Sequence, residues 1–324
     1  MGCVMTTRIL GTGSYAPENV ITNDDLAKIM DTSDEWIRSR TGIGARHICK
    51  DGGATHMAVE AAKRAVEMAG ISPEELDIII VGTSSPDKCL PSCGCEVQAA
   101  IGAVNAVAFD VSAACSGFIF SLNIVHGFFM SGMYRTGLVI GCDELSKLMD
   151  WSDRSTSVLF GDGAGAAVVR AEETGIRNFV MGSNGARGHV LECVARTTGN
   201  FLTGTKPEYG YTTMDGQEVF KFAVKKVPEC ISQLLEKSGV DKEEIKYFFL
   251  HQANMRIFDS ISRRLKIPMD KIPMNIERYG NTSGASLPII LDEVNREGKL
   301  ERGDKIVIAG FGAGLTWGAT LMEW

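Results

Sequence analysis

Three side chains of complementary chemistry stand at structural junctions in this 324-residue sequence: Cys115, His251 and Asn281. Cys115 follows an apolar run, Ala106 to Val111, and a small-residue turn, Ser112-Ala113-Ala114. After it come Ser116-Gly117 and a segment that is apolar on nearly every face, Phe118 to Val125. The pattern reads as strand, tight turn, buried helix. It places the sulfur at or near the helix N-terminus, where free N–H groups and aligned peptide dipoles favour a thiolate. Lowering a thiol pKa from ~8.5 to about 7 takes about 2 kcal/mol, within the upper range for a partly buried helix terminus. A buried structural cysteine is the commoner case for a lone Cys. Small neighbours on both sides, which open space at the sulfur, weigh against it here. His251 directly follows the run Tyr247 to Leu250, at the C-terminal end of a strand, where open α/β sheets hold their ligands. A capping histidine is the plainer reading of that position. Asn281 lies in the loop Tyr279-Gly-Asn-Thr-Ser-Gly-Ala-Ser286, before an apolar helix from Leu287. Asn is also frequent in such helix-initiating turns.

Cys, His and Asn together serve three chemistries. A cysteine protease uses His as base and Asn to orient it. An α/β-hydrolase needs a nucleophile elbow, loosely mimicked by Ala113-x-Cys115-x-Gly117. A condensing enzyme holds an acyl group on Cys and stabilises an enolate with two hydrogen-bond donors. The order of residues argues against the hydrolase, because its acid precedes the His whereas Asn281 follows it. A papain-like enzyme would carry an aromatic residue just after the Cys region and usually a secretory start, and neither is present.

The elements that position these residues are continuous apolar runs of strand length: Asp77 to Gly82, Ala106 to Val111, Gly137 to Gly141, Ala164 to Val169, Tyr247 to Leu250 and Lys305 to Ala309. Continuous runs suit strands covered on both faces. Helical patterns such as Thr55 to Ala69 and Phe220 to Ser238 separate them, which predicts an α/β layered fold. The segment Ala69-Gly-Ile-Ser-Pro-Glu-Glu-Leu-Asp-Ile-Ile-Ile-Val81 recurs half a chain later as Ser238-Gly-Val-Asp-Lys-Glu-Glu-Ile-Lys-Tyr-Phe-Phe-Leu250. A fainter pair, Arg135 to Gly141 and Arg302 to Ala309, recurs at nearly the same spacing. Two similar halves are therefore expected, 1–171 carrying the Cys and 172–324 carrying the His and Asn.

Composition excludes several classes. With 33 Lys+Arg against 40 Asp+Glu and a net charge of −7, the chain lacks the basic excess of a nucleic-acid binder. No run approaches ~18 uncharged apolar residues, and no secretory start is visible, so a cytoplasmic location without a membrane span is expected. Nine scattered cysteines, an odd number in a long chain, do not form a disulfide framework. The cluster Cys89, Cys93, Cys95 has no partner pair at zinc spacing, so unliganded thiols and no metal site are expected. Met1-Gly2-Cys3-Val4-Met5-Thr6 fits the loose myristoylation pattern, but strand-like Arg8-Ile9-Leu10 follows at once and lipidation is not expected.

The segments Asp110-Val-Ser-Ala-Ala-Cys115-Ser-Gly-Phe118, His251-Gln-Ala-Asn-Met-Arg256 and Gly280-Asn-Thr-Ser-Gly284 resemble those of the β-ketoacyl-acyl-carrier-protein synthase III family. So do Thr32 to Ile37, Arg40 to Gly44, Phe160 to Gly165 and Phe311 to Gly318. The resemblance covers essentially the whole chain. It implies the thiolase fold, two five-layered α/β halves, and a homodimer that needs no cofactor. It also implies a reaction: an acyl-CoA primer loads Cys115, and malonyl-acyl-carrier protein is then decarboxylated and condensed, initiating fatty acid synthesis. His251 and Asn281 become donors to the malonyl thioester oxygen. The backbone N–H groups of Cys115 and Ala313 become an oxyanion hole, with Ala313 standing where many relatives carry Gly.

The resemblance further assigns Trp36, Arg40 and Arg154 to CoA, and Lys221, Arg256, Arg263 and Arg264 to the acidic carrier protein. The default for such basic runs is a solvated helix face. Leu90, in a loop expected to reach across the dimer, and Phe311 would shape the acyl pocket. Gly161-Asp-Gly-Ala-Gly165 precedes a strand rather than a helix, so a phosphate-binding or dinucleotide loop is not expected. Gly310-Phe-Gly-Ala-Gly314 reads as a loop between two strands.

Overall fold

The computed structural model describes residues 5–194 and 196–324; the lipidation-like start, Met1 to Val4, lies outside them. In chain order the first half contains β1 (Thr6–Tyr15), α1 (Asp34–Thr41), α2 (Gly53–Ala69), β2 (Ile78–Gly82), α3 (Cys93–Ile101), β3 (Val107–Val111), α4 (Gly117–Met130), β4 (Thr136–Asp143) and β5 (Gly163–Glu172). The second half contains β6 (Ile176–Ser183), β7 (Leu191–Cys193), β8 (Thr212–Met214), α5 (Gly216–Ser238), β9 (Ile245–Leu250), α6 (Met255–Leu265), α7 (Ser286–Arg296), β10 (Lys305–Gly312) and β11 (Thr316–Glu323).

Two mixed sheets share one plan. The first has the order β1-β5-β4-β2-β3, with β4, β2 and β3 parallel and β5 and β1 antiparallel to their neighbours. The second runs β6-β11-β10-β9, with β9 and β10 parallel and the other pairs antiparallel. β2 thus corresponds to β9, which is the pair that the sequence repeat relates. Among the described residues β3 has no counterpart in the second sheet, so the first carries an extra edge strand.

Strand residues alternate between two cores, because successive side chains point to opposite faces. Ile78 and Ile80 of β2 join the central cluster with Phe118, Leu122, Leu287, Ile290, Ile306 and Ile308. Ile79 and Val81 face α2. In β10, Val307 and Ala309 turn instead toward α5 and α6. The layers are therefore helices, sheet, the helix pair α4 and α7, sheet, helices. Burial on both sides explains why β2 and β4 read as unbroken apolar runs.

Glycine lets the middle layer approach the strand ends. A Cβ on Gly82 would sit 2.6 Å from the Gly117 carbonyl carbon, and one on Gly141 would sit 2.0 Å from the Gly284 oxygen. These contacts seat the start of α4 against β2 and the turn before α7 against β4. The stretch from Gly310 departs from the expected loop. β10 continues through Gly312, because Gly310, Phe311 and Gly312 pair with Gly318, Trp317 and Thr316. The ladder to β11 outweighs the turn preference of the glycines, and only Ala313 to Leu315 connect the two strands.

Candidate active site

Cys115 sits in a 3-10 turn, Ala114–Ser116, that leads directly into α4. Ala114 has φ +46, a left-handed conformation that turns the chain sharply after β3. A Cβ on Gly312 would lie 2.7 Å from the Cys115 nitrogen, so glycine at the end of β10 keeps the space around that N–H open. The sulfur is buried, and burial pushes the thiol up to about 12, outweighing the lowering influence of the neighbouring Ser283 side chain. This reverses the direction expected from the helix terminus alone. Removal from water outweighs the dipole, so the resting group is a neutral thiol.

His251 directly follows β9 and is anchored by its N–H to the Ala309 carbonyl at 2.9 Å. It is buried, and burial lowers its ring to about 3, so the imidazole is neutral throughout the physiological range. Nδ1 lies 2.7 Å from Ser286 Oγ, which also accepts the Gln252 N–H at 3.3 Å. Among the described hydrogen bonds the serine hydrogen has Nδ1 as its acceptor, which assigns the ring hydrogen to Nε2. Asn281 is fixed by N–H donation to the Leu159 carbonyl at 2.8 Å. Its Oδ1 accepts the Ser283 N–H at 2.8 Å, which leaves the amide NH2 as the free end. Each of the two side chains therefore offers a hydrogen-bond donor.

Cys115, His251 and Asn281 line a single cavity of about 650 Å³ with Phe160 and Phe311. The Phe311 ring meets the His251 ring edge-on at 5.4 Å between centroids. Trp36 and Arg40 of α1, Lys221 of α5 and Arg256 of α6 line the same cavity, which makes its walls apolar inside and cationic outside. Arg40 and Arg154 both place guanidinium carbons over the Trp36 ring, at 4.6 and 5.3 Å. Arg154 also pairs with Asp31 at 2.8 Å. Lys221 is held by Glu218 at 2.8 Å, and Arg256 donates to the Ser39 carbonyl at 3.0 Å. Arg263 and Arg264 are exposed on α6 away from the cavity, and Arg264 borders a separate groove with Lys242 and Lys266.

A smaller cavity of about 80 Å³ lies beside the sulfur, bounded by Ala313, Ser283, Leu145, Met149, Phe160 and the β7–β8 hairpin. Ala313 keeps out of the left-handed region, so an alanine is tolerated there. Leu90 reaches neither cavity from within its own chain and is 86% exposed. In the cysteine cluster, the Cys93 and Gly94 N–H groups donate to Asp110 at 2.8 and 2.7 Å, and Ser92 caps Cys95. The cluster thus opens α3. Among the described residues no group of three His, Cys, Asp or Glu is placed to hold a metal, and no helix is long and apolar enough to cross a membrane.

Sequence reasoning misses Ser286, Ser283 and Asp143. The serines lie inside the polar stretch of which the sequence singles out only Asn281. Asp143 ends an otherwise apolar strand, an unusual place for a carboxylate, and that was the available signal.

Fold and site define a thiolase-fold condensing enzyme, an acyltransferase. Residues 109–185 match the family described as 3-oxoacyl-[acyl-carrier-protein (ACP)] synthase III, and residues 235–324 match its C-terminal part. A beta-ketoacyl-[acyl-carrier-protein] synthase III of Clostridium acetobutylicum is 48% identical, covering 98% of this chain and 99% of its own. A Bacillus anthracis relative, beta-ketoacyl-[acyl-carrier-protein] synthase III 1, is 46% identical with 99% of each chain covered. The crystal structure of 3-oxoacyl-[acyl-carrier-protein] synthase III from Aquifex aeolicus superposes with a TM-score of 0.91 at 48% identity, covering 98% of this chain and 100% of that one. The chain belongs to the 3-oxoacyl-[acyl-carrier-protein] synthase III family.

Proposed function

We propose that this protein loads an acyl group from acyl-CoA onto Cys115 and condenses it with malonyl-acyl-carrier protein. Carbon dioxide is lost, and the product is the 3-oxoacyl-carrier protein that starts a fatty acid chain. The observation that carries this reading is the meeting of one thiol and two neutral hydrogen-bond donors in one cavity. A hydrolase needs a base beside its nucleophile. A histidine held near 3 is a poor base and a good neutral donor. His251 and Asn281 then face the malonyl thioester oxygen as negative charge grows there, each worth a few kcal/mol in a dry site. The Cys115 and Ala313 N–H groups serve the tetrahedral stage of acyl transfer, and no metal or redox cofactor takes part.

Trp36, Arg40 and Arg154 are the proposed CoA contacts: the indole for adenine and the guanidinium groups for phosphates. Lys221, Arg256, Arg263 and Arg264 are the proposed carrier-protein face, where an exposed basic patch on an acidic chain steers an acidic partner. We take the halves 1–171 and 172–324 to act as one body that supplies Cys from one side and His and Asn from the other. A cytoplasmic homodimer completes the reading. β3 bonds only to β2 and leaves its outer edge unpaired among the described residues, with Val107 48% exposed. Such an edge is suited to pairing with a second copy, and Leu90 on the adjoining loop would then reach the partner's acyl pocket beside Phe311.

The reading is tested by supplying acyl-CoA and malonyl-acyl-carrier protein and following the carrier by mass spectrometry. Accumulation of the 3-oxoacyl carrier supports a synthase. Release of free acid without it supports a Cys-His-Asn hydrolase.

A further inference from the structure

We propose that Arg46 is a positioning residue for the decarboxylation step: buried behind the Asn281 loop, it clamps the segment Val158 to Gly161, which in turn holds Asn281 in place. The inference rests on the condensing reading above and adds the support behind one of its two donors. Arg46 lies in the short strand Ala45–His47, which pairs with Val20–Thr22 far from the sulfur in sequence.

The setting of Arg46 is unusual for a cation. The side chain is fully buried, and among the described residues no carboxylate pairs with it. Its two terminal nitrogens donate to backbone carbonyls instead: one to Ile21 at 3.2 Å, the other to Val158 at 2.8 Å. Nε is buried without a hydrogen-bond partner. Burial lowers the guanidinium to about 10, which leaves it charged at neutral pH. An unpaired buried cation is costly, and filling space alone would be served better by an apolar side chain of similar length. What the guanidinium adds is a rigid fork of donors that ties the edge of the Ala45–His47 hairpin to a segment 112 residues away.

That segment carries both backbone anchors of Asn281. The Asn281 N–H donates to the Leu159 carbonyl at 2.8 Å, and its carbonyl accepts the Gly161 N–H at 3.0 Å, a parallel bridge that sets Phe160 beside Asn281. The stem of Arg46 fills the space beneath the two glycines that flank this bridge. A Cβ on Gly161 would lie 3.1 Å from the Arg46 Cβ, and one on Gly280 would lie 3.4 Å from it. The neighbouring His47 secures the same bridge at its far ends. Its carbonyl accepts the Asp162 N–H at 2.8 Å, and its ring stacks on Tyr279 at 5.0 Å between centroids. Arg46 thus reaches the substrate only through Val158, Leu159 and Asn281. The Phe160 ring has an anchor of its own, in the apolar cluster with Leu145 and Met149, so the acyl side of the site depends less on the clamp. Loosening the clamp should therefore shift the Asn281 amide while leaving Cys115 largely undisturbed, and small misplacements of a donor can cost up to about 100-fold in rate.

The test is a double-mutant cycle between Arg46 and Asn281, with the two half-reactions measured separately in the full chain: acylation of Cys115 from acetyl-CoA, and decarboxylation of malonyl-acyl-carrier protein. Arg46→Met should lower kcat for decarboxylation by about 10- to 100-fold with KM within about 3-fold of wild type, while acylation changes by less than about 3-fold. Because Arg46 acts through Asn281, adding Arg46→Met to Asn281→Ala should slow decarboxylation by less than about 3-fold further. Arg46→Lys keeps the charge and a donor, and it should recover most of the lost rate, to within about 3-fold of wild type. If Arg46→Met does not fold, the cycle is run with Arg46→Gln, which keeps an NH2 donor on a shorter, neutral side chain and should show the same split and the same lack of additivity. Equal losses in both half-reactions, a rise in KM without a fall in kcat, or losses that multiply with Asn281→Ala overturn the inference. Failure of the condensing reading shows differently, as a wild-type protein that neither takes up acetyl from acetyl-CoA nor decarboxylates the malonyl carrier.

Discussion

Ser286 Oγ lies 2.7 Å from Nδ1 of His251, and Ser286 is also the first residue of the helix that follows the Asn281 loop. One serine thereby couples the strand end carrying the histidine to the segment carrying the asparagine. With the serine hydroxyl donating to Nδ1, the ring hydrogen sits on Nε2, and burial keeps the ring uncharged. In the proposed reaction, a donor that does not titrate in the working range gives the decarboxylation step a constant electrostatic environment.

The same burial has a stability consequence. The ordinary value for histidine is 6.5, and His251 is lowered to about 3. Below 6.5 the unfolded chain binds a proton that the folded ring refuses until about 3, so acid favours unfolding throughout that interval. The sign is a loss of stability as pH falls, at most about 1.4 kcal/mol per unit. Denaturant unfolding of wild type and His251→Gln between pH 7 and 4 should show a shallower acid decline in the variant. Identical slopes would mean that the folded ring takes up its proton as readily as a free one.

Asn281→Ala should keep acylation of Cys115 and lose malonyl decarboxylation by about 100-fold, the scale of removing one prepositioned donor. The basis is the Ser283 N–H held on Oδ1, which reserves the NH2 for the substrate. Equal loss of both half-reactions, measured separately, would make Asn281 a residue that only holds the loop.

Arg256→Glu should impair use of malonyl-acyl-carrier protein far more than acylation from acyl-CoA, and the gap should narrow as salt is raised. Arg256 is exposed at the cavity lining, on the helix face that also bears Arg263. Rates at low and high salt with each substrate give the answer. A uniform, salt-independent defect would assign the residue to CoA or to folding.

Leu90→Phe should narrow primer use toward acetyl-CoA. In the proposed dimer a ring entering the partner's acyl pocket beside Phe311 crowds longer chains first. Overpacking costs about 1–3 kcal/mol, roughly a 5- to 150-fold loss for a branched primer. Acylation rates for acetyl- and isobutyryl-CoA, together with the mass of the variant in solution, separate this from a weakened dimer. An unchanged ratio in an intact dimer would remove Leu90 from the pocket.

Much of this was legible in the sequence because the residues concerned sit where the pattern changes. Cys115 and His251 follow apolar runs, and the likeness of 69–81 to 238–250 foretold that β2 and β9 hold matching places in two sheets. What escaped depends on contacts between distant segments. The strand through Gly312 is set by pairing with β11, which local turn preference does not register. The direction of the Cys115 shift is set by how much protein surrounds the sulfur, and no spacing rule reports that. Asp143 and Gly284 are far apart in sequence and meet only once β4 and the turn before α7 are packed.

The central claim, that Cys115 carries the acyl group between two substrates, is tested most directly by the intact mass and peptide map of the protein after incubation with acetyl-CoA alone. The account predicts one acetyl group, located on Cys115, stable until malonyl-acyl-carrier protein is added and absent in Cys115→Ala. An acetyl group on Cys89, Cys93 or Cys142, or its rapid loss to acetate without the second substrate, would contradict it.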